Sequence, residues 1–284
     1  MPLTASAVAT NLARIPVLRL GIVPVEDDDA FRVNLRRLCF ALGYQLGTRV
    51  EGCSVDSYPN LVERMSLGQI DAAWMPPVVA MDCDAQSLAF PRIAMVRQAE
   101  TSYHSTLFVP EASHVRSLSD LVGLRAAWVS RESASGYLVP LASLRARGVS
   151  ISRAFSEHLF AGSHAQVARY LLDGKADVGA NFAHFRSVDS RIVSSSGWVE
   201  AGIDGAFRIL AVAGPIPTDV VVVHRSMSEE HGRALARAFQ WVMTCPEAAP
   251  AKAIFACDGF TPCNASHLRG LRKLVRLLDR PGRS

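Results

Sequence analysis

The chain has 284 residues, 49% of them apolar and 20% charged, with a formal net charge of +4. That length and apolar content suffice for one large or two medium domains with real cores. Its 30 basic residues are scattered along the chain and offset by 26 acids, which excludes the basic stripe of a nucleic-acid-binding protein, and no run approaches the roughly 18 apolar residues of a membrane-spanning helix.

Met1 to Arg14 lacks a basic start and a continuous apolar region, so it does not read as a secretory signal. On that basis the chain is expected to stay in the compartment where it is made, unless a leader has been trimmed. Val17 to Val23 reads as a strand, and Pro24 to Asp29 as a turn feeding a helix with Phe31, Leu35, Leu38 and Leu42 on one side. A second strand runs from Thr48 to Ser54. The next helix, Tyr58 to Leu67, has Pro59 in its first turn and Gly68 as its stop, and Ile70 to Trp74 forms a third strand that Pro76 and Pro77 end. This β-α-β-α-β order with short links predicts a mostly parallel sheet covered by helices.

A similar unit follows: a short helix from Leu118, a strand from Leu124 to Val129, helices from Ser135 to Arg147 and from Ser163 to Leu172, and a strand from Ala176 to Ala180. The phrases Leu67-Gly-Gln-Ile-Asp-Ala-Ala73 and Leu172-Asp-Gly-Lys-Ala-Asp-Val-Gly-Ala180 echo one another, so two similar α/β lobes are expected. Apolar strands Tyr103–Val109 and Phe207–Ala213 bracket the second lobe and read as the crossings. Lobe 1 is then 15–108 with 211–284 and lobe 2 is 109–210, with a ligand cleft between them and hinge motion about the two crossings. Val220–Val223, a helix from Ser228 to Met243 and a last helix from Ala265 to Leu278 complete lobe 1. That last helix carries Arg269, Arg272, Lys273, Arg276 and Arg280 opposite an apolar stripe and reads as a docked surface helix.

The chemistry concentrates at two junctions. In Trp128-Val-Ser-Arg-Glu-Ser-Ala-Ser-Gly-Tyr137 a strand empties into a small-hydroxyl turn and a helix begins; Phe160-Ala-Gly-Ser-His164 repeats the device. Each aims free backbone N–H groups, serine hydroxyls and the positive end of a helix at one spot, which suits an anion. Ser133, Ser135 and Ser163 would also serve as ordinary N-caps, a role compatible with ligand binding because the same amides serve both. Six cysteines lie in the outer thirds of the chain without C-x-x-C spacing, which argues against a metal or redox motif; if those thirds form one lobe a disulfide could form there, and free buried thiols are expected ahead of it; no cofactor is expected. Asp71 and Asp177 fall on matching helix-to-strand links and read as turn residues, Trp74 as packing, and the acidic run Glu26–Asp29 as a helix start. Ser133-Ala-Ser-Gly136 lacks the leading glycine of a nucleophile elbow, which weighs against a hydrolase.

Taken in order, Leu20-Gly-Ile-Val-Pro24, Tyr58, Leu67–Trp74, Tyr103-His-Ser-Thr106, Ser133–Tyr137, Gly162-Ser-His164, Ala176–Ala180 and Pro215-Ile-Pro-Thr-Asp219 resemble the phosphate, phosphite and phosphonate receptors of bacterial ABC importers. The resemblance covers nearly the whole chain and implies a type II periplasmic binding-protein fold, an α/β architecture of two lobes joined by a two-strand hinge. It also implies a periplasmic location, an ABC permease as partner and a small oxyanion as ligand. At matching positions it implies that Ser133, Ala134 and Ser135 stand where the family has a Ser-Thr-Ser turn on the phosphonate oxygens, one hydroxyl fewer. His164 and Ser163 form the second helix start, Tyr58 and Tyr103 line the cleft, and Asp219 follows the Pro-x-Pro phrase. His184 stands where relatives handling aminoalkylphosphonates offer an acid. Two further readings stand beside the receptor: a cytoplasmic enzyme on the same fold acting on a small carboxylate, as in menaquinone-pathway enzymes, and a ligand-sensing domain.

Overall fold

A computed structural model describes residues 17–24, 26–189, 191–203, 207–276 and 278. The segment read for a leader and the basic position Arg280 lie outside the described residues. The chain divides into two compact units, 1–101 with 218–267 and 102–217 with 268–284.

In chain order, unit 1 begins with β1 (Val17–Ile22), α1 (Asp29–Leu46), β2 (Arg49–Ser54), α2 (Tyr58–Ser66), β3 (Ala72–Met75), α3 (Pro77–Ala85) and β4 (Ala89–Val96). Unit 2 contains β5 (Ser102–Pro110), β6 (Leu124–Trp128), α4 (Val139–Ala146), α5 (Ile151–Ala154), β7 (Phe155–Phe160), α6 (His164–Leu172), β8 (Val178–Ser187), β9 (Ile192–Ser196), α7 (Gly197–Glu200) and β10 (Phe207–Pro217). The chain then returns to unit 1 with β11 (Val220–His224), α8 (Glu229–Val242), α9 (Ala248–Phe255) and β12 (Gly259–Pro262). It ends in unit 2 with α10 (Arg269–Val275).

The sheet of unit 1 has the order β12-β4-β11-β3-β1-β2 and that of unit 2 the order β10-β5-β8-β6-β7, with β9 on β8. In both, the first strand of a βαβαβ run lies between the other two: β1 is parallel to β2 and β3, and β6 is parallel to β7 and β8. The α1 helix starts where Asp28 accepts from the Phe31 amide at 2.7 Å, and it buries Leu35, Leu38, Leu42 and Leu46 at helical spacing. Those leucines join Leu20, Ile22, Phe239 and Phe255 in the unit 1 core. Phe239, Phe255 and Phe260 pack ring against ring at 5.0 to 5.9 Å. Unit 2 gathers Val109, Trp128, Leu141, Leu144 and Val178 on one side of its sheet and Phe108, Val167, Leu171 and Trp198 in a second cluster.

The echoed phrases have one physical cause. Arg19 and Asp71 are 52 positions apart, as are Arg125 and Asp177. In each pair the arginine side chain grips both carboxylate oxygens at 2.7 to 3.1 Å while its own amide donates to the same carboxylate. The aspartate amide completes the ring by donating to the arginine carbonyl. Each clamp ties the entry of the central strand to the entry of the third. Gly68 and Gly174, which stop the preceding helices, share a φ of 67°, a backbone state open to glycine at little cost.

The structure draws the unit boundaries differently from the sequence reading. β5 and β10 pair along their lengths, from Phe207 beside Pro110 to Pro217 beside Ser102, and β5 also pairs with β8. Both therefore belong to unit 2, with the crossings at Thr101–Ser102 and Pro217–Thr218 instead of near Phe108 and Leu210. The C-terminal segment, expected on the first lobe, packs in unit 2: Leu278 contacts that core and its carbonyl accepts from Arg145. Ser135 to Arg147 is not one uniform helix either, because residues 134–138 form a wide π turn that runs into α4.

Candidate functional site

In unit 2 both predicted junctions lie where parallel strands end. Trp128 and Phe160 are register partners, and beyond them Ala161 and Gly162 donate to the carbonyls of Trp128 and Val129 at 2.8 and 2.9 Å. The two loops thus leave the sheet side by side at the carboxyl rim, where open α/β sheets bind ligands. Ser133 caps the first helix by accepting from the Gly136 amide at 3.0 Å, and Ser163 caps α6 by accepting from Gln166 at 3.2 Å. A Cβ at Gly136 would stand 2.4 Å from the Val129 side chain, so this turn closes only on glycine. The first amides of each helix have no partner within it and carry the positive end of its dipole.

Two residues that the sequence reading did not single out connect the junctions. Ser105, on β5, donates its hydroxyl to the Ser135 carbonyl at 2.6 Å and is the cross-strand partner of Phe182 on β8. The Phe182 ring meets the His164 ring edge-on at 4.9 Å. Beside it, buried Asn181 donates to the His164 carbonyl at 3.0 Å and accepts from the Gly197 amide at 3.2 Å. A row of rings continues from Phe182 to His184 at 6.2 Å and from His184 to Tyr103 at 6.0 Å. Tyr103, Ser133, Ala134, Ser135, Ser163, His164 and His184 are therefore all in unit 2. Ala134, Ser135 and His184 are buried, Tyr103 and His164 are half-buried, and Ser163 is exposed. The signal for the missed residues was present in the phrases Tyr103–Thr106 and Asn181–His184, but strand pairing, not spacing, joins them.

Burial holds the His164 imidazole down at about 4, against a smaller opposing effect of Asn181. The ring is therefore neutral at pH 7. Its buried Nδ1 has no hydrogen-bond partner among the described residues, which leaves a polar atom in want of one.

In unit 1 the candidates are Tyr58 and Asp219. Tyr58 opens α2 behind the cap Ser57, which accepts from the Asn60 amide. Ser57-Tyr58 corresponds to Ser163-His164 at the same offset that relates Arg19 to Arg125. Burial, and secondarily the charge of Asp219, push the Tyr58 phenol up to about 12, so its hydroxyl stays a donor. Asp219 precedes β11, whose Val220 pairs with Met75 at the carboxyl end of β3. Arg97 donates to the Asp219 carboxylate at 2.7 Å, a partner hidden from sequence reading because the whole of unit 2 lies between them in the chain.

The remaining candidates are structural. Asp71 and Asp177 form the clamps, Asp28 is a helix cap, and Trp74 is buried against Phe255 at 5.6 Å. All six cysteines are free and fall in unit 1. No group of three or more His, Cys, Asp or Glu residues able to hold a metal occurs among the described residues, nor does a helix long and apolar enough to cross a membrane. A cavity of about 790 Å³ lies between α1 and β2, lined in part by Phe31, Cys39, Phe40, Tyr44 and Cys53; it contains none of the predicted site residues.

Comparison with known proteins gives a consistent result. Residues 20–268 match the model of a family described as the periplasmic substrate-binding protein of a phosphonate ABC transporter. The chain is 26% identical over 210 residues to the phosphate-import protein PhnD of Mycolicibacterium smegmatis, an alignment covering 70% of this chain and 64% of that relative. The chain thus spans a little under two thirds of that protein's length. Among solved structures, XAC2383 from Xanthomonas citri bound to ATP superposes with a TM-score of 0.72 at 24% identity, over 94% of this chain and 98% of that one. PhnD1 from Prochlorococcus marinus in complex with methylphosphonate gives 0.67 at 18% identity, over 94% and 99%. At these identities the structures speak for the fold.

Proposed function

The chain belongs to the family of periplasmic substrate-binding proteins of phosphonate ABC transporters, and we propose that it captures a small phosphorus oxyanion and delivers it to an ABC permease. The observation that carries this reading is the link through Ser105 and Phe182, which brings the serine turn at Ser133–Ser135 and the helix start at Ser163–His164 to one rim. Two sets of amides, two capping hydroxyls and a neutral histidine with an unfilled nitrogen make a donor-rich pocket for an anion. Hydrogen bonds to a charged acceptor are the strong ones, more so away from water.

Tyr58 and Asp219 are the candidates that unit 1 offers, and a difference between the loaded and empty states is what the permease would read. The work takes place in the periplasm, in keeping with the family. The relatives named for phosphate import and solved in complex with methylphosphonate support phosphate and methylphosphonate as ligands. The family is a binding component of a transporter, and nothing in the site favours the carboxylate enzyme. Isothermal titration of the folded chain with phosphate, phosphite and methylphosphonate tests the proposal. Saturable heat with at least one of them is expected, and no heat with any removes phosphorus oxyanions as ligands.

A further inference from the structure

Helix α1 has two apolar faces. One, formed by Leu35, Leu38, Leu42 and Leu46, is buried in the unit 1 core. The other is Val33, Phe40 and Tyr44, whose spacing places them on one ridge of the helix, and they are 43%, 77% and 70% exposed. Phe40 and Tyr44 are the only exposed phenylalanine, tyrosine or tryptophan side chains among the described residues. The Tyr44 ring stacks on half-buried Trp241 of α8 at 5.9 Å, which carries the aromatic surface onto a second helix of the same unit. Phe40 and Tyr44 also line the cavity between α1 and β2, so the apolar surface continues to the edge strand of the unit 1 sheet. Cations flank it: Arg36 and Arg37 on α1, and Arg237 one turn before Trp241 on α8, are exposed. Arg36 and Arg237 make no ion pair among the described residues, and Arg37 meets Glu247 at 4.0 Å.

Large rings are ordinarily buried, and a contiguous exposed apolar patch marks a surface that meets a partner. Here the patch is rimmed by charge of one sign, which suits a partner that is uniformly negative at its surface and apolar beneath. We propose that this face of unit 1 docks on an anionic lipid bilayer. Phe40 and Tyr44 enter the headgroup layer beside Trp241, while Arg36, Arg37 and Arg237 engage the lipid phosphates. The ridge runs about 16 Å along the helix, a shape to which a deformable headgroup layer readily conforms. The contact is peripheral, because no helix among the described residues is long and apolar enough to cross a membrane. The family is that of the periplasmic substrate-binding protein of an ABC transporter, so a bilayer lies within reach, and weak attachment would concentrate the protein near its permease. Docking by this face goes beyond capture of the oxyanion and does not depend on which ligand is held.

The test is co-sedimentation of the full chain with vesicles, either of phosphatidylcholine alone or of equal parts phosphatidylcholine and phosphatidylglycerol. The wild type is expected to bind the mixed vesicles at least about tenfold more strongly than the neutral ones, and more weakly as salt is raised. Phe40→Ser combined with Tyr44→Ser, checked for folding by circular dichroism, should weaken that binding at least about tenfold. Arg36→Gln combined with Arg237→Gln, which leaves the rings in place should the first variant fail to fold, should weaken it about fivefold or more. A wild type that does not bind the mixed vesicles overturns the proposal, and so does binding that either folded double variant retains in full. A dimer that forms with rising concentration and is lost in Phe40→Ser with Tyr44→Ser, in a protein that ignores vesicles, would assign the ridge to a second copy of the chain and overturn it as well. Failure to bind any phosphorus oxyanion is a separate result, which removes the receptor reading and leaves the vesicle measurement standing.

Discussion

The hydroxyl of Ser105 donates to the backbone carbonyl of Ser135 at 2.6 Å with both residues fully or almost fully buried. This contact fixes the serine turn to the strand that also positions Phe182, and through it the His164 helix start. One small side chain therefore ties together the two helix starts proposed to hold the anion.

Replacing it tests that statement. Ser105→Ala should lower the unfolding free energy by about 1 to 2 kcal/mol, the cost of one buried acceptor left unmet. It should weaken oxyanion binding by more than a global loss of that size explains, because the turn loses its register. Denaturant unfolding and titration of the same sample check it; a destabilised protein with unchanged affinity would mean that the turn does not touch the ligand.

Gly197 supports the other half. A Cβ there would stand 2.4 Å from the His164 Cβ and 2.6 Å from Asn181 Oδ1, closer than real contacts allow. Gly197→Ala should therefore displace the α6 start and break the Gly197–Asn181–His164 chain, with a stability loss of about 1 to 3 kcal/mol. Ligand affinity is expected to fall at least about tenfold. Wild-type affinity in the folded variant would separate the α6 start from binding.

The buried imidazole of His164 makes a pH prediction. Its folded value, about 4, lies below the ordinary value near 6.5, so between these limits the unfolded chain binds the proton more readily. The stability tied to neutral His164 is complete above about pH 6.5 and is lost as pH falls toward 4. Histidine NMR should find its ring titrating near 4 in the free protein, and His164→Gln should flatten the decline of the melting temperature across that window. A midpoint near 6.5 would refute the buried setting.

The clamps should behave as scaffolding. Arg125→Met is expected to lower the melting temperature only slightly, because the pair is partly solvent-exposed, with oxyanion affinity within about twofold of wild type, because the pair lies at the entry of the strands and the proposed site at their exit. The Arg125 side chain holds the Asp177 carboxyl below its usual range. Its contribution is present above about pH 4 and disappears as pH falls through the lower folded value. Acid titration of stability in wild type and Asp177→Asn measures this, and a variant with the wild-type acid profile would contradict it.

Much of the fold was legible in the chain. The strand-helix alternation, the glycine stops and the echo between Leu67–Ala73 and Leu172–Ala180 depend on local backbone preference and short-range periodicity, which a sequence carries directly. The helix starts at Tyr58, Ser135 and Ser163 were readable for the same reason, since the residues that start a helix are neighbours of it. Strand β7 and the pair β4 and β12 were not, because they lack alternation and owe their state to the partners they meet.

What the sequence determined by itself, then, was the repeated α/β unit and the residue types able to hold an anion. Tertiary structure alone decided which strands share a unit, that the C-terminal segment covers unit 2, that Ser105 and Asn181 hold the helix starts in place, and that Asp219 faces Arg97 across 122 positions of chain. Such pairings come from sheet register and burial, where the free energy of a contact depends on which groups the whole fold removes from water together.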